Sequence, residues 1–325
     1  MTVWSKGVRG EYLETLRYAS MLSSWKTHEV NFLSNMIESG ARPAQLLAAG
    51  YGREAGEYVR GMVMALPDAV SAARAAFSQG VPAATASKLD LPTSRPFGGT
   101  PIGQAVRAPI DLLVAADEFW KTLTTQGFLR GEAYRLAGNG PGRAQRMLDI
   151  LDDTASPQYK EMLAGAEAQA QKATYQDDVP EWLTRFLALR SANTFKDKTS
   201  KAMAFVAHMA VPFVRTPWNI AKRAGENVIA PVTGGVAAQR AFRAGDVRTG
   251  RLEMAKAVLA TGIGAGLATL AATGQLTGSG PKNPDTRRAL EATGWQANSV
   301  VVPGLDGQPH YFGLNGFGPV GLEAM

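Results

Sequence analysis

The side chains that most often carry out chemistry are few and scattered in this sequence. The chain of 325 residues has no cysteine, which excludes disulfides, thiolate zinc sites and cysteine nucleophiles. Its three histidines, His28, His208 and His310, lie far apart and form no HExxH pattern. We therefore expect no catalytic, cofactor-binding or metal-binding residues, and we interpret His208, beside Met209, as a core or boundary histidine.

Pairs of adjacent carboxylates are the next candidates for chemistry. They occur at Asp117-Glu118, Asp152-Asp153 and Asp177-Asp178. Neighbouring residues on a helix do not face each other, so neither of the first two pairs is placed for shared acid–base work. We expect both to lie at solvated helix ends, and the third pair to mark a helix start. A deep pocket lined by Asp117, Glu118 or His208 would instead favour an enzyme.

Two glycine-rich stretches have the composition of phosphate-binding loops but not their spacing. Residues 262–266 lack the third small residue of a dinucleotide fingerprint, and no alternation of strands and helices surrounds them. Residues 277–282 lack the Gly-Lys-Ser/Thr ending of a P-loop, and no Gly-x-Ser-x-Gly elbow occurs. The sequence therefore predicts no cofactor, and we expect a chain that is not an enzyme.

Positive charge is concentrated in one part of the chain. The net charge is +6, and residues 196–256 hold eleven Lys and Arg against four Asp and Glu. Such a block can contact DNA phosphates or anionic lipid headgroups, and a solvated helix face explains it equally well. Aromatic residues are not interleaved with it, as stacking on single strands would need. The candidate contacts are Lys196, Lys198, Lys201, Arg215, Lys222, Arg223, Arg240, Arg243, Arg248 and Arg251.

An uncharged stretch follows the basic block. Residues 257–274 are 18 residues without a charge, which is the minimum length for a membrane-spanning helix. A buried Ala/Gly-rich helix in a soluble bundle or assembly is the alternative interpretation. If the stretch spans a membrane, Lys256, Arg251 and Arg248 would keep the upstream side cytoplasmic. Its candidate membrane or helix-packing residues are Gly262, Gly264, Gly266, Leu267 and Leu270.

The elements that would carry these residues are mostly helical. Alanine-rich windows and apolar residues at helical spacing predict a mainly α fold, an irregular multi-helix assembly with a Pro/Gly-rich linker and a short C-terminal β-hairpin. We divide the chain into an N-terminal helical region (1–79), a linker (80–108), a helical region (109–292) holding the basic block and the apolar helix, and a hairpin tail (293–325).

Prolines and glycines predict most of the helix boundaries. We expect breaks at residues 40–43 and 138–142, and a helix that begins at Pro109 and ends near Gly127. Pro212 and Pro217 predict a helix–elbow–helix unit, with Thr216 as the cap of a helix bounded by Pro231. Further helices are predicted over 144–151, 157–172 and 180–189, and a hairpin over 299–302 and 310–312 around an Asp-Gly turn.

Several segments, in this order along the chain, resemble a module of very large tailed-phage proteins. That group comprises internal virion, ejection-type and polyvalent proteins. The most specific segment is VPFVRTPWNI at 211–220. The others are KTHEVN at 26–31 with LSN at 33–35, AADEFWK at 115–121, TF at 194–195, GSGP at 278–281 and GWQ at 294–296, followed by the hairpin.

The resemblance implies a virion-associated structural or DNA-ejection component. Its expected partners are other virion proteins or further copies of itself, with DNA and the host membrane as additional contacts. Its expected place is the virion, with delivery into the host envelope or cytoplasm. The chain stops in mid-pattern at 321–325, which predicts a fragment of a larger protein.

Three alternatives stay open on the sequence alone. They are a nucleic-acid-binding module acting in the capsid or host, a membrane-inserting protein unrelated to phage, and an enzyme whose site cannot be read. For a virion-associated component, we expect the helices to bury their apolar stripes against one another or against sister subunits. We also expect no ligand-sized cleft in which ionisable side chains converge.

Overall fold

A computed structural model of the protein describes residues 15–79, 100–189, 215–304 and 307–314. The fold is mainly α with a C-terminal hairpin, which confirms the predicted class. The elements are α1 (15–22), α2 (Trp25–Ala48), α3 (Gly52–Met64), α4 (Leu66–Gln79), α5 (Pro101–Leu136), α6 (Arg143–Asp152), α7 (Pro157–Ala173), α8 (Glu181–Leu189), α9 (Arg215–Arg243), α10 (Val247–Ala272), α11 (Pro284–Ala292), β1 (Ser299–Pro303) and β2 (Pro309–Gly313).

The long helix α5 organises the helical body. The Thr100 hydroxyl accepts a hydrogen bond from the Gly103 amide at 3.1 Å, and Pro101 occupies the first turn, a combination that favours a helix start. Helices α2, α3, α4, α6 and α7 all pack against α5. Leu129 and Ala133 of α5, for example, share a buried cluster with Met162 of α7. Burying a side chain such as Leu129 stabilises the fold by about 1.5–3 kcal/mol.

Several predicted helix ends are wrong because prolines lie inside helices. Helix α5 begins at Pro101 and contains Pro109, so residues 101–108 are helical and do not belong to a linker. Helix α2 continues through Gly40 and Pro43, and α9 continues through Pro231. An internal proline removes one backbone hydrogen bond and favours a kink. The packing of these long helices along their length outweighs that local preference.

Gly127 does not end α5 but allows it to approach α3 closely. A Cβ atom at Gly127 would lie 2.7 Å from Cε1 of Tyr58, and one at Gly61 would lie 2.6 Å from the carbonyl oxygen of Gln126. No side chain fits at either position without a shift of its neighbours. The glycine that predicts a helix end from local propensity is therefore a contact between two helices.

Other boundaries agree with the sequence. The break at 138–142 is confirmed, and Gly138, Gly140 and Gly142 have positive φ angles there. Helices α6, α7 and α8 match the three predicted helices. Of the predicted elbow, residues 212–214 lie outside the described residues. Helix α9 already includes Arg215 and Thr216, so Thr216 is not its N-cap.

Helices α9 and α10 form an antiparallel pair joined by a tight turn. Gly245 adopts a φ of +80°, and the Asp246 carboxylate caps α10 by accepting a hydrogen bond from the Thr249 amide at 2.9 Å. The pair is attached to the body through Arg248, which donates to both carboxylate oxygens of Glu54 at 2.9 and 2.5 Å. The N-terminal half of α10 is thereby fixed against α3.

The tail contains the predicted hairpin. Strands β1 and β2 are antiparallel, with Val301 opposite Tyr311. The tail begins earlier than residue 293, because Leu276 forms a bridge with Val300 and the Thr277 amide donates to the Ser299 carbonyl at 2.8 Å. Residues 275–278 and the hairpin therefore form one small unit, connected to the body by α10.

Candidate functional site

The structure separates the basic block into internal and exposed residues. Arg223 is buried in ion pairs and Arg248 is engaged with Glu54, so neither is free to contact DNA or lipid, contrary to expectation. Lys222 lies 3.8 Å from the Asp177 carboxylate and 4.0 Å from that of Glu226. Lys196, Lys198, Lys201 and the Arg215 side chain lie outside the described residues. The candidates exposed near the α9–α10 turn are Arg240, Arg243 and Arg251, for which DNA or lipid contact stays a prediction.

The C-terminal half of α10 is exposed to solvent. An 18-residue window of this helix has a mean hydropathy of 1.5, and only 11% of it is buried. Val258 is 58% exposed and Ile263 is 37% exposed. The segment 257–274 is therefore not buried by the described residues of this chain, and its burial in an assembly stays a prediction; its helical state is confirmed as far as Ala272.

The glycines of this segment contact nothing within the described part of the chain. A Cβ atom at Gly262, Gly264 or Gly266 would meet no other atom within 4 Å, and Leu267 and Leu270 are half-exposed. A helix that presents small and apolar residues without a neighbour has a surface suited to another helix or to lipid. Residues 257–272 extend about 24 Å at about 1.5 Å per residue, less than the roughly 30 Å of a bilayer's hydrocarbon core.

A second exposed apolar strip lies on α9. Val228, Val232 and Val236 follow at four-residue spacing along one face, and Val232 is 72% exposed. Val236 lines a shallow groove together with Met254 of α10. The strip therefore adjoins α10, and both helices of the pair present apolar surface to the exterior.

The Asp117-Glu118 pair lies buried in the middle of α5, so the expectation of a solvated helix end is wrong. Oδ1 of Asp117 accepts hydrogen bonds from the side-chain amides of Asn31 at 3.3 Å and Asn35 at 3.0 Å, and Oδ2 accepts one from Gln176 at 3.0 Å. Glu118 forms an ion pair with Lys121 at 3.0 Å. The one-turn spacing of Asn31 and Asn35 was the only sequence signal for this cluster.

Burial governs the ionisation of Asp117. It raises the pKa of this carboxyl from 3.8 to about 6, and Lys121 and the three amide donors act in the opposite direction. The carboxyl connects α2, α5 and the segment after α7. It does not line the charged cavity described next, and neither does Glu118.

A charged cavity of 440 Å³ lies between α2, α7, α9 and α10. From the sequence we expected no ligand-sized cleft with converging ionisable side chains, and that expectation is wrong. Its walls come from residues far apart in sequence, which local periodicity cannot bring together. The ionisable side chains that line it are the cations Arg42, Lys172, Arg223 and Lys256 and the carboxylates Glu38, Glu226 and Glu253.

Arg223 organises the carboxylates on one wall of the cavity. Its Nη1 donates to Glu226 at 2.9 Å and its Nη2 donates to Asp177 at 3.1 Å. Its Nε lies 3.8 Å from Oε2 of Glu38. Asp177, expected as a helix-start signal, is thus also a partner of this guanidinium. Asn219 holds the same loop by donating to the carbonyl oxygens of Tyr175 and Asp177.

Burial shifts the pKa values of at least three groups in this cavity, of which one is Arg42, whose pKa it lowers. It raises the pKa of Glu38, with Arg223 opposing the shift. It lowers the pKa of Lys172, and the positive charges of Arg223 and Lys256 lower it further. The lining holds no hydroxyl, thiol or imidazole group. The arrangement is therefore suited to binding a charged ligand, and it supplies no nucleophile of those kinds.

Within the described residues no group of three or more His, Cys, Asp or Glu side chains is arranged to hold a metal ion. His208, one of the residues whose presence in a pocket would favour an enzyme, lies outside the described residues. None of the known protein-family models matches the chain, and comparisons with curated proteins and with solved structures find no match.

Proposed function

We propose that this chain is a virion-associated structural or DNA-ejection component of a tailed phage that works by helix packing and assembly. We further propose that it contacts membrane through the exposed half of α10. The observation that carries the proposal is an uncharged helical segment of which only a small part is buried, with Gly262, Gly264 and Gly266 facing open space among the described residues. The ordered resemblance of its segments to large tailed-phage proteins supports the virion assignment.

The exposed apolar residues of α9 and α10 are costly to hydrate when the protein is alone in water. A monomeric soluble protein rarely keeps a large contiguous apolar surface in water. Here the exposed segment of α10 and the strip of Val228, Val232 and Val236 lie on the two helices of one antiparallel pair, and Val236 shares a groove with Met254, just before that segment. A helix shorter than the hydrocarbon core fits best lying in the membrane interface or packed against another subunit.

Membrane contact is tested by flotation with phosphatidylcholine vesicles. The variant Leu267→Asp with Leu270→Asp should bind them at least about tenfold more weakly than the unmodified chain, because two charges on the apolar face oppose its burial at the boundary between headgroups and acyl chains. The matched control is Thr286→Asp with Ala289→Asp, which adds the same charge on the exposed helix α11 and should change binding little. Absence of binding by the unmodified chain, even at low salt, would contradict membrane contact.

The virion assignment is tested separately. Mass spectrometry of purified particles should detect this chain, or the longer protein that contains it, at a fixed ratio to the portal protein. Genes for portal, tail or capsid proteins beside its reading frame would agree with that result. Detection in infected cells but never in particles would contradict the assignment.

A further inference from the structure

We propose that the charged cavity between α2, α7, α9 and α10 binds a phosphate-bearing anion through the ammonium groups of Lys172 and Lys256. This inference does not require a membrane or a virion. It adds a ligand site to a chain whose proposed function needs none.

Lys172 and Lys256 form no direct ion pair or side-chain hydrogen bond within the described residues, and both line the cavity. The charges of Arg223 and Lys256 lower the pKa of Lys172, whereas the more weakly acting Glu226 and Asp177 raise it. Unpaired positive charges that face one another in a partly buried space are stabilised by an anion between them.

The carboxylates of the cavity do not neutralise the charges of Lys172 and Lys256 directly. Four cations line the cavity against three carboxylates. Arg223 already engages Glu226 directly, and it is the cation nearest to Glu38. Burial also raises the pKa of Glu38, which weakens its negative charge. With Asp177, which also engages Arg223, four carboxylates balance the four cations. The positive charge is concentrated at Lys172 and Lys256, which have no ion pair with a carboxylate among the described residues, so an anion would bind there.

The donors that line the cavity identify the anion as a phosphate. Lysine binds phosphate as a compact point charge. The side-chain amides of Gln169 and Asn227 also line the cavity and supply further donors. A phosphate group carries up to two negative charges and presents three or four acceptor oxygens, so it matches two ammonium groups and two amides better than the single charge of a carboxylate does.

The cavity also has room for the rest of the ligand. A volume of 440 Å³ lies within the usual range for small-molecule sites and exceeds what inorganic phosphate alone needs. Beyond Glu253 and Lys256, the α10 side of the lining is apolar, with Leu259, Ala260 and Ile263 leading towards the exposed half of the helix. A phospholipid headgroup and a soluble phosphate ester share the chemistry that this cavity recognises.

The experiment compares two double variants that remove the same charge. Lys172→Gln with Lys256→Gln alters the cavity, whereas Lys160→Gln with Arg74→Gln alters exposed positions on α7 and α4. The probes are inorganic phosphate and sn-glycerol 3-phosphate, measured by calorimetry, and vesicles with or without phosphatidylglycerol, measured by flotation. We expect the cavity variant to bind at least tenfold more weakly and the surface variant to bind within twofold of the unmodified chain.

Each outcome has a definite meaning. Binding of the soluble phosphates with this pattern identifies a soluble ester as the ligand class, and binding of phosphatidylglycerol vesicles alone identifies a lipid headgroup. Equal loss in both double variants, or no binding of any probe by the unmodified chain, overturns the proposal.

Lys172→Arg with Lys256→Arg should retain binding. Because the cavity lysines form no direct ion pair within the described residues, the Gln variant should unfold at an unchanged or higher denaturant concentration.

The soluble arm separates this proposal from the proposed function. Phosphate binding does not depend on α10 entering a membrane, so it can succeed when flotation on phosphatidylcholine fails. Conversely, the Leu267→Asp and Leu270→Asp variant should keep its calorimetric binding of glycerol 3-phosphate, because neither leucine lines the cavity.

Discussion

Asp117 shows how one buried carboxyl can connect helices and also make their stability depend on pH. Its pKa in the folded chain, about 6, lies above the ordinary value of 3.8. Between these values the folded chain binds more protons than the unfolded chain. The stabilisation from this protonation is therefore complete below about pH 4 and is lost as the pH rises through about 6.

Replacing Asp117 with asparagine should remove that dependence. The free energy of unfolding of the unmodified chain, minus that of Asp117→Asn, should be larger at pH 4 than at pH 7. Other carboxyls with raised pKa values, such as Glu38, are present in both proteins and cancel in the difference. Urea unfolding at the two pH values measures this quantity, and a difference that does not change with pH would contradict the shifted pKa of Asp117.

At the scale of the elements, the contact between α3 and α5 depends on two glycines. Gly127→Ala should lower the free energy of unfolding by about 1–3 kcal/mol, because the new Cβ overlaps the Tyr58 ring and Met62 in a packed core. Gly56→Ala on the exposed side of α3 is the matched control. It meets no other atom within 4 Å and should instead raise stability by up to about 1 kcal/mol. If urea unfolding showed Gly127→Ala to be as stable as Gly56→Ala, the close-contact interpretation would be refuted.

Local signals predicted the elements whose boundaries depend on local chemistry. Ser156 caps α7 by accepting from the Tyr159 amide at 3.1 Å, and Pro157 follows it, so the predicted start is confirmed. Pro109, Gly127 and Pro231 gave false boundaries because their roles depend on which helices pack against them. Propensity describes a residue in an isolated helix, and these helices are held by long-range contacts.

Local sequence patterns also predict the candidate sites only in part, because long-range contacts form them. The sequence identified 257–274 as apolar and uncharged, but its exposure depends on the absence of a packing partner in the fold. The cavity could not be predicted, since its walls join residues from Ile37 to Ile263. Periodicity places Lys172 on a helix without indicating that Lys256 and Arg223 face it.

At the scale of the whole molecule, α10 connects two folded parts of different character. One is the helical body and the other is the small tail that begins near residue 275. Exposed charged side chains follow the apolar segment directly, on and beside α11. They are Lys282, Asp285, Arg287, Arg288 and Glu291.

This order of segments restricts how α10 can meet a bilayer. A helix that entered end-on would have to translocate the tail, with all of those charges, through the hydrocarbon interior, where each charge is disfavoured by several kcal/mol. A helix that settles sideways among the headgroups leaves body and tail on the same leaflet and desolvates no charge. If α10 contacts a bilayer as proposed, we therefore expect its axis to lie parallel to the lipid surface, with the helical body and the tail on the same side.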